Sequence, residues 1–138
     1  RGETLLHHPA DILPAAILGL AVTTWVAGFD IIYACQDADF DAAHGLHSVP
    51  ASVGVGRALT WAKWLHLGTL LLLAALPETV PALGWIYWIA LAAIAALLAW
   101  EHALVRPDDL SRVNQAFFTA NAGIGIVLLV AIATDLWV

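Results

Sequence analysis

The sequence predicts an all-α protein, a polytopic bundle of transmembrane helices. Three observations carry this. Of 138 residues, 62% are hydrophobic and 12% charged, whereas soluble domains are nearer half apolar and a quarter charged. The mean hydropathy is +0.85. Four apolar runs approach the roughly 20 residues a helix needs to cross a bilayer, and none alternates with the period of a strand. A soluble enzyme and a disordered chain are excluded on this composition. A net charge of −6 argues against a nucleic-acid partner. The single cysteine, Cys35, excludes an internal disulfide framework and a zinc-thiolate cluster.

The runs come in order along the chain. Ile12 to Phe29 carries no charge. Leu59 to Leu76 is apolar apart from Lys63 and His66 near its start. Thr79 to Trp100 and Val113 to Thr134 are uncharged. A helix satisfies its own backbone groups in lipid, so each run is expected as a helix: near residues 10–36, 56–77, 80–104 and 112–136. A short helix or ordered loop is expected over 37–50. Gly19, Gly28, Gly68, Gly123 and Gly125 are expected where helices touch. The chain contains no methionine and opens on Arg1-Gly2-Glu3, so residues 1–138 read as part of a longer membrane protein.

The connections differ in character. Residues 35–56 are acidic, polar and glycine-containing, Pro77 to Pro81 reads as a tight turn, and residues 101–112 read as a charged loop. Arg57 and Lys63 follow the first connection, Arg106 and Arg112 lie in the third, and the middle one has no base. The positive-inside rule then places the first and third loops in the cytoplasm of a multi-pass cell-membrane protein. Arg1 is the one base on the opposite side.

The chemistry concentrates in the first loop. Asp30, Asp37, Asp39 and Asp41 stand in twelve residues, and no Lys or Arg occurs between Arg1 and Arg57. Asp37 and Asp41, four apart on a helix face, repel one another. Asp30 sits at the mouth of the first span, where a carboxylate is costly and usually functional. Such a group calls for a cation or a proton, and hard oxygen ligands suit Mg²⁺, which shares its shell with water and phosphate. The plainer reading is a solvated acidic loop. Against it stand the seven-then-four spacing of Asp30, Asp37 and Asp41, and the Gly45 and Ser48 that suit a turn and a second helix.

The segment GFDIIYACQDADFDAAHGLHSVP, Gly28 to Pro50, resembles the second aspartate-rich motif of the UbiA superfamily of membrane prenyltransferases. The pattern D-x-x-Y-A-x-x-D-x-x-x-D-x-x-x-G-x-x-S is met by Asp30, Tyr33, Ala34, Asp37, Asp41, Gly45 and Ser48. The wording is most similar to the 4-hydroxybenzoate polyprenyltransferase-like branch, some members of which serve menaquinone synthesis by the futalosine route. VRPDDLSRVNQAFFTAN, Val105 to Asn121, resembles the same branch. The resemblance covers essentially residues 1–138 as one domain.

It implies a nine-helix fold around a central cavity, of which this chain supplies the sixth to ninth helices. The family's first motif, N-D-x-x-D, occurs nowhere in the chain, which makes the N-terminal half of the same enzyme an expected partner. The implied reaction is Mg²⁺-dependent transfer from a polyprenyl diphosphate to an aromatic acid in quinone synthesis. On that reading Asp37 and Asp41 hold the metal, while Asp30 and Tyr33 line the cavity beneath. Asp39 lies on another face. Arg57, Lys63, His47 and Asn121 are candidate substrate contacts. Asn114 and Asn121 also suit interhelical hydrogen bonds, and the positive-inside rule alone accounts for Arg57 and Lys63. The histidines make no metal site by spacing: His7-His8 read as an outside loop, and His66 and His102 as interface or packing residues. The tryptophans read as belt and packing residues, Trp25 lying deeper than the rest. The alternatives are a tetrapyrrole- or homogentisate-type prenyltransferase, or a non-enzymatic membrane module that binds a divalent cation. The latter leaves Tyr33, Gly45 and Ser48 unexplained.

Overall fold

The computed structural model describes residues 12–137. The expectations for Arg1, for His7-His8 and for the first residues of the opening helix lie outside them. Six helices follow in order: α1 (Leu13–Ala34), α2 (Ala38–Ala43), α3 (Val49–Val53), α4 (Val55–Thr79), α5 (Trp85–Leu104) and α6 (Val113–Trp137). A 3-10 turn, Cys35–Asp37, joins α1 to α2, so that Leu13–Ala43 forms one span-like rod. Four helices are long and apolar enough to cross a membrane, and there is no strand among the described residues.

Helix α1 packs chiefly on α4, and α5 chiefly on α6. Two apolar clusters hold the bundle. The larger joins Ala21 and Phe29 of α1, Leu73 and Leu76 of α4, Tyr87, Ile94 and Leu98 of α5, and Ile124 and Leu128 of α6. The smaller gathers Ile32, Cys35, Leu59, Val105 and Val113 at the end that carries the aspartate loop. Outward-facing positions are also apolar, with Leu71, Trp85, Ile89, Phe118, Ile126 and Leu129 exposed. That surface suits hydrocarbon or further helices rather than water.

Three local features depart from the sequence reading. Pro77 does not begin a turn but lies inside α4, which runs on to Thr79. A proline supplies no N–H to the carbonyl four residues back, here that of Leu73. The Tyr87 hydroxyl donates to this carbonyl at 2.7 Å, offsetting the missing helical bond. Of the two overlapping readings of Glu101 and His102, the span expected over 80–104 holds at its end and the charged loop read from residue 101 does not: α5 continues to Leu104 and Glu101 is fully buried. The loop proper is a tight turn in which Arg106 and Asp109 exchange backbone hydrogen bonds. Finally, of the glycines expected at contacts, Gly28, Gly123 and Gly125 pack closely against His66, Leu97 and Trp25, whereas Gly19 and Gly68 face open space.

A long-range cap completes the fold. Gly84 precedes α5 and has no side chain to cap it. Asp135 Oδ2, from the far end of α6, instead accepts from the backbone N–H of Gly84 at 3.0 Å and of Tyr87 at 2.8 Å. A carboxylate there satisfies orphan donors and complements the helix dipole.

Candidate functional site

The aspartate row is positioned by the core face of α1. Gly28, Phe29, Ile32 and Cys35 are buried at helical spacing, which turns Asp30, Tyr33 and Asp37 outward at i, i+3 and i+7. All three are exposed. Tyr33 leans on α6, its ring 4.9 Å from that of Phe117. The 3-10 turn Cys35–Asp37 follows, and Asp37 is the residue that precedes α2. Asp39 and Asp41 fall in the first turn of α2, Asp39 exposed and Asp41 half-buried.

The rest of the motif shapes the loop. Gly45 has φ +66°, a left-handed conformation that favours glycine and ends α2. The Leu46 N–H then returns to the Asp41 carbonyl at 2.8 Å. Ser48 caps α3, its hydroxyl accepting from the Ala51 N–H at 3.3 Å. Gly54, with φ +87°, turns the chain into α4. Gln36 donates to Asn114 Oδ1 at 3.4 Å, tying the motif to α6 by the interhelical bond expected of Asn114.

No side-chain hydrogen bond or ion pair engages Asp30, Asp37, Asp39 or Asp41 among the described residues. Arg57 and Lys63 are exposed on α4 and pair with none of them. His47 is exposed in the loop and Asn121 is half-buried on α6. The aspartates also do not bring three ligating atoms together. The row can therefore offer carboxylate oxygens to a hard cation.

A second polar group lies inside the bundle, outside the aspartate motif. His66 of α4 meets Glu101 and His102 of α5, and their ligating atoms lie within 4.8 Å of one another. His66 and His102, expected to be interface or packing residues, thus share a polar centre. Spacing could not reveal it, since His66 and His102 are 36 positions apart. The available signal was an acid directly after the apolar Thr79–Trp100 run, which falls inside the helix if α5 continues by one turn.

In the third loop, Asp109 Oδ1 accepts from the Ser111 hydroxyl at 2.6 Å and from the Ser111 N–H at 3.0 Å. These bonds hold the Asp109 carboxyl below its ordinary range, with Arg106 and Arg112 adding to the effect. Asp108 pairs with Arg106 at 3.4 Å. The pair Asp108-Asp109 thus belongs to a turn, as its position after Pro107 suggests.

Comparison with known proteins agrees with the motif. The model of the UbiA prenyltransferase family matches residues 3–122. The chain belongs to this family. A 4-hydroxybenzoate octaprenyltransferase of Idiomarina loihiensis is 34% identical over 123 residues, 89% of this chain and 42% of the relative. One from Chromohalobacter salexigens is 34% identical over 125 residues, 91% of this chain and 41% of the relative. A polyprenyl transferase of a Nectria species is 30% identical over 127 residues, 91% and 39% of the two chains. The chain thus spans about two-fifths of the length of the curated relatives it matches. No solved structure matches.

Proposed function

We propose that this chain provides the second aspartate motif of an enzyme that transfers a polyprenyl group from its diphosphate to an aromatic acceptor. A 4-hydroxybenzoate or a related naphthoate is the acceptor class, with quinone synthesis as the setting. The observation that carries the reading is the row of carboxylates on Asp30, Asp37 and Asp41, unpaired among the described residues, at the end of a span-length rod. Family membership and the names of the relatives support it.

In this reading Asp37 and Asp41 hold Mg²⁺, whose charge when bound offsets that developing on the departing diphosphate. The oxygen-only donor set and its exposure fit that ion. Asp30 and Tyr33, on the same face one and two turns before Asp37, line the cavity where the allylic fragment meets the acceptor ring. Arg57, Lys63 and His47 are diphosphate contacts, and Asn121 faces the substrates from α6. An apolar groove of about 370 Å³ between α1 and α4, lined by Thr24, Ile31, Trp61, Trp64, Leu65 and Gly68, has the chemistry an isoprenoid tail requires. The aspartate loop faces the cytoplasm, where the diphosphate is supplied.

The test is transfer of a labelled polyprenyl diphosphate to 4-hydroxybenzoate in membranes. Residues 1–138 are assayed alone and with the upstream half that carries an N-D-x-x-D motif. Mg²⁺-dependent product is expected only from the pair. Product from the chain alone would mean that four helices form a complete site, and no product from the pair with any aromatic acid would reject the reading.

A further inference from the structure

The polar centre between α1, α4 and α5 has the features of a built metal site. His66 Nε2 lies 3.2 Å from the Trp25 carbonyl. A carbonyl oxygen only accepts, so Nε2 carries the proton and Nδ1 carries the lone pair. That lone pair points into the cluster: His102 Nε2 is 2.9 Å from Nδ1 and Glu101 Oε2 is 3.6 Å from it. Metal-binding histidines almost always hold their second ring N–H on a carbonyl or carboxylate in this way, which fixes ring and tautomer.

The surroundings fit the histidine rather than the reverse. Gly28 lies against the His66 ring, and a Cβ at that position would overlap it. The Phe29 ring, 4.9 Å away at 57°, flanks it on α1. His66 is 2% exposed and Glu101 is 0% exposed. Both Glu101 carboxylate oxygens are buried and lack a hydrogen-bond partner among the described residues. An unpartnered carboxylate among apolar side chains is costly, and this one lies 3.6 Å from His66 Nδ1, with a His102 ring nitrogen within 4.8 Å. A cation at the centre of the three would engage Glu101 and both nitrogens together.

We propose that His66 Nδ1, His102 Nε2 and the Glu101 carboxylate bind one borderline divalent cation, Zn²⁺ by preference, inside the bundle. Two imidazoles and a carboxylate are a recognised zinc donor set, and bonds of about 2.0–2.1 Å place neighbouring ligand atoms about 3.3 Å apart in a tetrahedron. The two separations from His66 Nδ1, 2.9 and 3.6 Å, lie on either side of that value, and all three ligand atoms lie within 4.8 Å of one another. Mg²⁺ prefers oxygen and retains its water, so it does not compete for this donor set. The cation links α4 to α5, and through the Trp25 carbonyl it also orients α1. The site is separate from the aspartate row and does not depend on the reaction proposed for that row.

The experiment uses the chain in lipid nanodiscs, with no polyhistidine tag, stripped by a chelator. His7, His8, His44 and His47 are all replaced by Gln to remove the other imidazoles. Co²⁺ serves as the visible probe. One equivalent should bind with the absorption of a tetrahedral nitrogen–oxygen site, be displaced by one equivalent of Zn²⁺, and resist a large excess of Mg²⁺. His66→Gln and Glu101→Gln should each weaken binding by at least the roughly 10–100-fold that loss of a supporting contact costs. Zinc X-ray absorption on the chain with His66, Glu101 and His102 intact should show two imidazoles, a result that does not require either variant to fold. Absence of stoichiometric Co²⁺ or Zn²⁺ binding, displacement by Mg²⁺, or an unchanged spectrum in folded His66→Gln and Glu101→Gln would overturn the proposal. Failure of the prenyl-transfer assay would leave these readouts untouched.

Discussion

The two groups of acids in this chain have opposite surroundings. Asp30, Asp37 and Asp39 lie exposed along a helical rod, with no side-chain partner and no three-ligand cluster among the described residues. Glu101 is sealed inside the bundle with two imidazoles beside it. Exposed carboxylates can take up a ligand that brings its own oxygens. A buried carboxylate has no such latitude, and the fold must supply its partners in advance. The first arrangement suits a diphosphate that arrives and leaves, and the second suits a resident ion.

The largest expected effect tests the exposed side of this contrast. With the upstream half present, Asp37→Ala or Asp41→Ala should lower Mg²⁺-dependent transfer by about 10²–10³-fold, the loss typical when one electrostatic contact to a developing charge is removed. Asp39→Ala should change it little. Turnover measured across a Mg²⁺ titration separates a metal defect from a folding defect. Near-normal turnover in both Asp37→Ala and Asp41→Ala would reduce the row to a solvated loop.

The next effect tests the enclosed side. Gly28→Ala places a methyl group where the His66 ring lies, and overpacking of this kind costs about 1–3 kcal/mol. Gly19→Ala and Gly68→Ala meet nothing within 4 Å and should be neutral or slightly stabilising, since alanine is the better helix former. Unfolding of all three in mixed micelles gives the comparison directly. Equal stabilities would mean that the His66 pocket is looser than its contacts imply.

A smaller loss is expected at Tyr87, whose hydroxyl holds the Leu73 carbonyl left without a helical donor by Pro77. Tyr87→Phe should cost about 1–2 kcal/mol in the same assay, the range for an orphaned buried acceptor. In a Pro77→Ala background the cost should shrink, because the helix then supplies its own N–H. An undiminished cost in the double variant would show that the hydroxyl does not act through Pro77.

These sites show what the sequence could and could not reveal. Span positions and the aspartate motif are local patterns, and both were legible: the uncharged Val113–Thr134 run became α6 almost residue for residue. Pro77 was misread because Pro-Glu-Thr-Val-Pro has the composition of a turn, and the donor that keeps the helix going lies ten residues downstream. Glu101 falls inside both the span expected over 80–104 and the loop read over 101–112, because an acid after an apolar run normally marks the end of a span. The fold instead keeps it inside by bringing His66 from another helix. The Asp135 cap on α5 is equally remote, 51 positions from Gly84. In each case the deciding partner comes from another helix, which no window along the chain can contain.

The smallest expected effect concerns the third loop, where an acid is exposed yet has partners. Asp109 is fully exposed, like the aspartate row, but it accepts two hydrogen bonds from Ser111. Its carboxyl is therefore held below its ordinary range, first by the Ser111 hydroxyl and then by the Ser111 N–H. A carboxyl whose folded value is depressed favours the folded turn above its unfolded value, and that contribution is lost as pH falls through the folded value. Ser111→Ala removes the larger cause and leaves the backbone bond in place. The Asp109 midpoint, followed by carboxyl NMR in nanodiscs, should move up toward the ordinary range, and Arg106→Gln should move it less. A larger shift in Arg106→Gln than in Ser111→Ala would transfer control of the turn from the hydroxyl to the guanidinium. Burial would still separate Glu101 from the aspartates, but local hydrogen bonding would no longer distinguish Asp109 from the other exposed acids.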